Sequence, residues 1–407
     1  MKSYHTIILG AGIIGLATAY QILKKDPSTK LAILEKESEI ATHQTGHNSG
    51  VIHTGIYYKP GSLKAKNCVK GVELLLDFCQ KHDIPYNLCG KLIVATTKDE
   101  IPKLHELYQR GVQNGVQDLK LIKKDEIRKI EPFAKGIEAI HSPNTGIVDY
   151  KLVSQKLLEE ILNLNGTIHL GHKVLNISEN ETEIIIQTNQ GELSTQKLIN
   201  CCGLYSDVIA RKSGFKFKEK IIPFRGEYYF LDPKVSHVLN GLIYPVPNPK
   251  FPFLGVHLTK RISGEVEVGP NAVLALAKEG YSKKNLDIRE IAQYANYSGF
   301  WAMSARYWKV GLYELYRSYS KQQFLKDIQK LVPEIQNKDL KKGGSGVRAQ
   351  VVSPIGKMVD DFLIVSSKRA LHVLNAPSPG ATSSLAIGEF LSKEHENLTI
   401  KQENKKS

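Results

Sequence analysis

Residues Ile7–Ala19 read IILGAGIIGLATA, and the spacing of their glycines decides the fold. Gly10-Ala11-Gly12-Ile13-Ile14-Gly15 fits the pattern G-x-G-x-x-G. Taken alone the pattern is weak; its context makes it informative. A short apolar run, Thr6–Leu9, precedes it, helical periodicity follows over Ile13–Lys25, and a second apolar run covers Leu31–Leu34. The sequence therefore predicts a strand, a tight turn, a helix and a second strand. In such a unit Gly10 makes the turn, Gly12 lets a pyrophosphate approach the backbone, and Gly15 lets helix and strand pack closely. The helix start then offers free N–H groups to phosphate. Glu35 ends the second strand, twenty residues after Gly15. Its carboxylate suits the two hydroxyls of an adenosine ribose and repels a 2′-phosphate. FAD or NAD is expected, rather than NADP.

The bulk numbers agree with a soluble enzyme-sized chain. Its 407 residues suffice for a large core and for two domains, with 42% hydrophobic and 24% charged residues. The five cysteines are odd in number and lack metal-ligand spacing, so a reducing compartment, no disulfide framework and no metal site are expected. No apolar run approaches the roughly 18 residues of a membrane span. The glycines of Gly10–Gly15 and the apolar run after them also argue against a secretory signal. A cytoplasmic protein is expected, free or peripheral on the inner face of the cell membrane. The formal net charge of +14 favours acidic partners, such as a dianionic substrate or anionic lipid. Lysine and arginine are dispersed and not interleaved with aromatics in an RNA-binding pattern, so no nucleic-acid partner is expected.

Further along, helices are predicted over Leu63–Gln80, Lys98–Arg110 and Tyr150–Leu164, and a strand over Lys91–Ala95. Short strands surround Ile168, Val174 and Ile185, with a hairpin turn at Asn189-Gln190-Gly191. Ile221–Val268 is strand-rich, Ile288–Leu331 mainly helical, and Leu371–Asn375 a last strand. The expected architecture is α/β (α+β overall): a Rossmann-like nucleotide-binding domain of discontinuous segments with an inserted mixed-sheet substrate domain. The first comprises 1–90, 145–220 and 340–395, and the second 91–144 and 221–339. Residues 396–407 are expected as a flexible tail.

FAD is preferred over NAD for two reasons. His43–Tyr58, HQTGHNSGVIHTGIYY, is too rich in hydrogen-bonding groups for a core, and a flavin ring and ribityl chain need many contacts. Near the C-terminus, Pro377, Gly380, Ala381 and Thr382 form a second loop before a helix, whose N–H groups would stabilise negative charge on a reduced flavin. To these expected cofactor contacts the reading adds Ile13, Ile14, Lys36, His43, Gly46, Asn48, Ser49, Gly50, Val51, Val174, Cys202 and Gly203.

HQTGHNSGVIHTGIYYKPGSLKA, PFRGEYY, PFLGVHLT, VGPNAVLA, GVRAQVVSP and NAPSPGATSS carry a family resemblance. Together they resemble the glycine/D-amino-acid-oxidase-like FAD-dependent oxidoreductases, and within them the branch that oxidises L-2-hydroxyglutarate. The resemblance runs from Tyr4 to Leu391. It implies oxidation of (S)-2-hydroxyglutarate to 2-oxoglutarate, with FAD taking the hydride and quinone or oxygen the electrons. It also implies that Asn200–Leu204 lies near the adenosine and pyrophosphate, where Cys201 and Cys202 replace alanines common in the wider family. This replacement is expected to be neutral.

Oxidation of a hydroxy acid needs a base for the hydroxyl proton, and histidine titrates in the right range. His53 is the first candidate and His257 the second; His43 and His47 are expected to hold the loop or the cofactor phosphates. Two carboxylates call for cationic groups, and the arginine fork suits them best. Arg225 and Arg348 are the candidates, Arg348 also as a flavin contact, with Tyr228, Tyr57 and Tyr58 as further hydroxyl donors. Phe300–Ser320 mixes aromatics with Arg306, Lys309 and Arg317, which fits a core helix pair and also a membrane-surface helix. Other readings keep the fold with a different hydroxy acid or an amino acid as substrate, or with no catalysis at all. Oligomeric state and the mode of FAD attachment are left open.

Overall fold

The computed structural model describes residues 1–248 and 254–403. Strand Lys2–Leu9, helix Ile13–Lys25 and strand Leu31–Leu34 follow one another as the glycine spacing predicts. Lys2–Leu9 lies inside an eight-stranded sheet. It runs parallel to Leu31–Leu34 on one side and to Gly191–Asn200 on the other, so Leu9 stands between Leu34 and Asn200. Thr167–His169 extends the sheet beyond Leu31–Leu34, and Ala370–Asn375 runs parallel to the end of Gly191–Asn200. Leu31–Leu34 is buried throughout, as befits a strand covered on both faces. On one face Leu16 and Leu23 of the first helix meet Leu157 of helix Tyr150–Asn163 and Leu385 of helix Ser384–Glu403. On the other, Ile7 and Leu9 pack against Ile184 and Ile186 of the hairpin strand Ile184–Thr188, and against Ile209.

A nine-stranded sheet forms the second layer. Lys91–Ala95 is its hinge in sequence terms, running parallel to Leu242–Pro245 and antiparallel to Glu138–Ser142. Segments near 91–142 and 220–274 thus share one sheet, which fits an inserted domain. One boundary differs from the sequence reading. Residues 340–352, expected in the nucleotide-binding unit, form strand Leu340–Val352, which pairs with Lys220–Leu231 along almost its whole length. Its KKGGSG start has no apolar alternation to announce a strand. The expected flexible tail also differs: helix Ser384–Glu403 carries the chain past 396, and Leu398 is buried against the core. Residues 404–407 lie outside the described residues, as do Pro252 and Phe253 of the PFLGVHLT stretch, whose strand is His257–Lys260.

The aromatic stretch forms helix Ser298–Tyr319. Met303, Glu314 and Arg317 face inward, as a core helix requires. Trp301, Trp308, Leu312, Leu315, Tyr316 and Tyr319 are exposed, Trp301 at 61% and Tyr319 at 74%. At 3.6 residues per turn these six fall within about 100° of the helix circumference, a single apolar stripe.

A buried charge pair ties the layers together. Asp207, in helix Ser206–Lys212, accepts from Lys278 Nζ at 2.7 Å and from Arg211 at 2.6 Å, and Lys278 also donates to the Leu204 carbonyl at 2.8 Å. Burial alone would raise the Asp207 carboxyl; Lys278 and Arg211 override it and hold it below the ordinary carboxylate range. Its stabilisation is therefore present above the unfolded carboxylate pKa and fades as pH falls through the folded one. Asp207→Ala strands the Lys278 ammonium, and chemical denaturation at neutral pH is expected to show a loss of about 3–5 kcal/mol. An unchanged midpoint would contradict this role.

Candidate active site

A cavity of about 920 Å³ opens at the carboxyl ends of the parallel strands, lined by Leu9, Gly10, Leu34, Glu35, Cys201 and Cys202, and walled opposite by the second sheet. The fingerprint glycines divide their work as the pattern requires. Gly10 has φ +98, and a Cβ there would lie 2.7 Å from the Cys201 carbonyl oxygen. A Cβ on Gly15 would lie 2.0 Å from the Gly10 carbonyl oxygen, so Gly15 serves packing and does not line the cavity. At Gly12 the nearest atom to a Cβ is Thr45 Oγ1 at 3.4 Å, which leaves open backbone beside the helix start. Glu35 lines the cavity and also anchors its rim, accepting from the Ala11 N–H at 2.8 Å and the Glu37 N–H at 3.0 Å.

The polar segment after the second strand folds over this end. Thr45 accepts from the Ile13 N–H at 3.0 Å, a contact that nothing in the composition of the stretch singled out. Asn48 donates to the Thr45 carbonyl at 2.6 Å and accepts from Gly50 N–H at 2.8 Å, shaping the loop while lining the cavity with Ser49 and Val51. Gly46 and Gly50 do not line it; their expected cofactor contact is corrected to loop packing, against Lys151 and Ala41 for Gly46 and against Val148 for Gly50. Ile13, Ile14, Lys36, His43, Val174 and Gly203 line the cavity. So do Pro377, Gly380, Ala381 and Thr382. The Thr382 hydroxyl pins the C-terminal loop to the strand before His53, accepting from the His53 N–H at 3.2 Å and bonding Tyr150 Oη at 2.8 Å.

His43 links the two lobes. Its Nε2 lies 2.9 Å from Glu37 and 3.0 Å from Glu279, and its ring stacks on Tyr281, as does that of His47 at 4.2 Å. Burial would lower the His43 imidazole, but Glu279 and Glu37 hold it above its ordinary value. Glu37, His43 and Glu279 come within 4.8 Å of one another, the spacing of a metal site. The Lys36 ammonium already sits among them, 2.7 Å from Glu279 and 3.0 Å from His43, and serves as their cation.

At the other end stand His53, Tyr57, Tyr228, Tyr244, His257 and Arg348. Strand alternation turns Gly226 and Tyr228 into the cavity and Arg225 away from it. Arg225, expected as a carboxylate ligand, instead grips Glu227 at 3.0 and 3.2 Å and donates to the Gly280 and Ser282 carbonyls, so its donors are spent within the protein. The His257 Nδ1 lies 2.9 Å from the Gly255 carbonyl, which can only accept; Nδ1 therefore carries the hydrogen and Nε2 the lone pair. Tyr244, missed in the sequence, stacks on the His257 ring at 4.0 Å. Burial pushes His257 down to about 3, with Arg348 and Lys91 adding to the effect, while the Gly255 carbonyl opposes it. His53 is likewise held at about 3 by burial, then by Lys91 and His257. Its Nδ1 is buried without a hydrogen bond and its Nε2 lies 3.4 Å from Ser378 Oγ.

The open helix start at Gly12, the carboxylate of Glu35 at the end of the second strand and a cavity that joins them to a second glycine loop fit a flavin dinucleotide. Residues 5–394 match the family described as DAO, FAD dependent oxidoreductase, and the chain belongs to that family; its cofactor is FAD. The L-2-hydroxyglutarate dehydrogenase of Indibacter alkaliphilus is 51% identical over 386 residues, covering 95% of this chain and 97% of that protein. The mitochondrial L-2-hydroxyglutarate dehydrogenase of Homo sapiens is 42% identical over 410 residues, covering 97% and 89%. Among solved structures, L-alpha-glycerophosphate oxidase from Mycoplasma pneumoniae with FAD bound superposes with a TM-score of 0.79 at 24% identity, covering 98% of this chain and 95% of that one. Glycine oxidase from Geobacillus kaustophilus gives 0.74 at 15% identity, over 98% and 95%; both share the fold. Gly10→Ala drives a Cβ into the Cys201 carbonyl, and the purified variant is expected to carry little or no FAD by absorbance. Full FAD occupancy in that variant would refute the assigned turn.

Proposed function

We propose that this chain is a FAD-dependent dehydrogenase that oxidises (S)-2-hydroxyglutarate (L-2-hydroxyglutarate) to 2-oxoglutarate. One observation carries the reading: an imidazole whose Nδ1 is held by the Gly255 carbonyl, leaving Nε2 as the lone-pair nitrogen, His257, lines the same cavity as an arginine, Arg348. A hydroxy-acid oxidation needs that combination, a proton acceptor beside a carboxylate receptor. The relatives named above supply the particular hydroxy acid.

Bound FAD supplies the acceptor for the hydride that leaves C2. His257 takes the hydroxyl proton at Nε2; the Gly255 carbonyl holds the ring in the required tautomer, and Tyr244 holds its plane. His53 orients the hydroxyl from the opposite loop, reversing the order of candidates expected from sequence. Arg348 receives a carboxylate, and Tyr57 and Tyr228 line its approach. His257→Gln is expected to retain FAD and lose about 10²–10⁴-fold in kcat, with a smaller loss for His53→Gln. Normal turnover by the His257 variant would remove it as the base. With an artificial electron acceptor, the wild type is expected to form 2-oxoglutarate from (S)-2-hydroxyglutarate and to handle glycine or glycerol 3-phosphate roughly 10²-fold or more slowly. Equal rates would refute the substrate.

The electron acceptor in this reading is membrane quinone, reached by peripheral docking on the cytoplasmic face. No helix among the described residues is long and apolar enough to cross a membrane. The exposed stripe of helix Ser298–Tyr319 has cations packed on its rings, Lys283 4.1 Å from the Tyr319 ring and Lys309 5.5 Å from that of Trp308. Aromatics at headgroup depth with cations beside them suit anionic lipid. Replacing Trp301, Trp308 and Tyr319 together by serine is expected to weaken sedimentation with anionic vesicles about tenfold or more and to spare turnover with a soluble acceptor. Undiminished sedimentation would rule out this surface.

A further inference from the structure

Lys91 is a fully buried cation with no part in the proton or hydride transfer. It opens strand Lys91–Ala95, between Leu242 and Ser142 of the neighbouring strands, and is only 1% exposed. Alternation puts it on the same face as Ile93 and Ala95, which pack with Ile56 and Tyr244. Its ammonium lies 4.9 Å from the centre of the Tyr57 ring and 5.1 Å from that of Tyr244, and both tyrosines line the cavity. Among the described residues it makes no ion pair and no hydrogen bond, and the charged or titratable group that most raises its pKa is the Cys68 thiol. That thiol is itself pushed up by burial, so it is neutral and offers no counter-ion.

A lysine taken out of water keeps its charge only if something replaces its hydration. Two aromatic faces replace part of it. The cavity beside them holds further unspent polar groups: the Tyr57 hydroxyl and His53 Nδ1 are buried without hydrogen bonds. Arg348 lines the same cavity as His53 and His257, and the Lys91 ammonium stands behind two of its lining rings, with its charge felt at both histidines. A substrate with a carboxylate at each end matches that arrangement.

We propose that Lys91 binds one carboxylate of the dicarboxylate substrate, with Arg348 taking the other, and so selects dicarboxylates over monocarboxylates. The proposal rests on the substrate reading above and adds a residue to it. Bridged between the two cations, the chain presents its hydroxyl-bearing carbon to His53 and His257.

Burial lowers the Lys91 ammonium to about 8, with Cys68 opposing the shift. The other titratable groups beside it stay neutral near that pH, His53 and His257 because burial holds them low, Tyr57, Tyr244 and Cys68 because burial holds them high. Only protonated Lys91 attracts an anion, so affinity holds below about pH 8 and falls above it, by up to about tenfold per pH unit.

The test is equilibrium binding of glutarate, which lacks the reacting hydroxyl, to the FAD-loaded protein by calorimetry, with butyrate beside it. Lys91→Met is expected to raise the glutarate Kd by about 30-fold or more, leave butyrate nearly unchanged, and abolish the rise in Kd above pH 8. A glutarate Kd within about twofold of wild type would overturn the proposal. Should the variant fail to fold, the wild-type profile decides alone: a Kd flat to pH 10 overturns it. A wild-type holoprotein that binds neither glutarate nor (S)-2-hydroxyglutarate would sink the substrate reading itself, a different result from binding that ignores Lys91.

Discussion

The approach of helix Ile13–Lys25 to the end of strand Lys2–Leu9 is the constraint on which the rest depends. The missing Cβ of Gly15 lets the helix settle on the Gly10 carbonyl, and the positive φ of Gly10 turns the chain between them beneath Cys201. The helix start is thereby aimed along the carboxyl edge of the sheet. Every other strand of the parallel core delivers a loop to that same edge: Glu35 from one neighbour and His172 and Lys173 from the strand beyond it, Cys201 and Cys202 from the other neighbour, and Pro377–Thr382 from the strand beyond that. Distant segments are recruited because only one edge of such a sheet is open for binding.

The cavity is completed by contacts that cross from one layer to the other. His43 and His47 stack on Tyr281, Lys36 joins Glu37 to Glu279, and Lys278 reaches back to Asp207. These polar bridges set the second sheet over the first without closing the space between them. Two imidazoles, held neutral first by burial and then by the cations near them, share that space with the cavity arginine. A protein interior accepts that crowding of like charge when a dianion is its intended occupant.

How far this was legible in the sequence depends on the range of the signal. The opening strand, turn and helix, the strand Lys91–Ala95 and the hairpin at Asn189–Gly191 are set by spacing within a few residues, and all form. Strand Leu340–Val352 escaped because its lysines and glycines carry no alternation, and its pairing partner lies more than a hundred residues away. Arg225 misled because the sequence shows an arginine in a strand and not the face it occupies; register turned it towards Glu227. Lys91 was visible only as a charge at the head of an apolar run, since the tyrosines that enclose it come from two other segments. Tyr244 and Thr45 gave no local signal, their roles being created by the partners they meet across the fold.

The central claim is that this cavity brings the C2 hydrogen of (S)-2-hydroxyglutarate to FAD. Anaerobic titration of the purified yellow protein tests it most directly, because it needs neither a quinone nor a membrane. The flavin is expected to bleach with one equivalent of the (S)-enantiomer per FAD, with 2-oxoglutarate formed in equal amount, and to stay yellow with the (R)-enantiomer. A flavin that remains oxidised with the (S)-compound, or bleaches equally with both enantiomers, would contradict it.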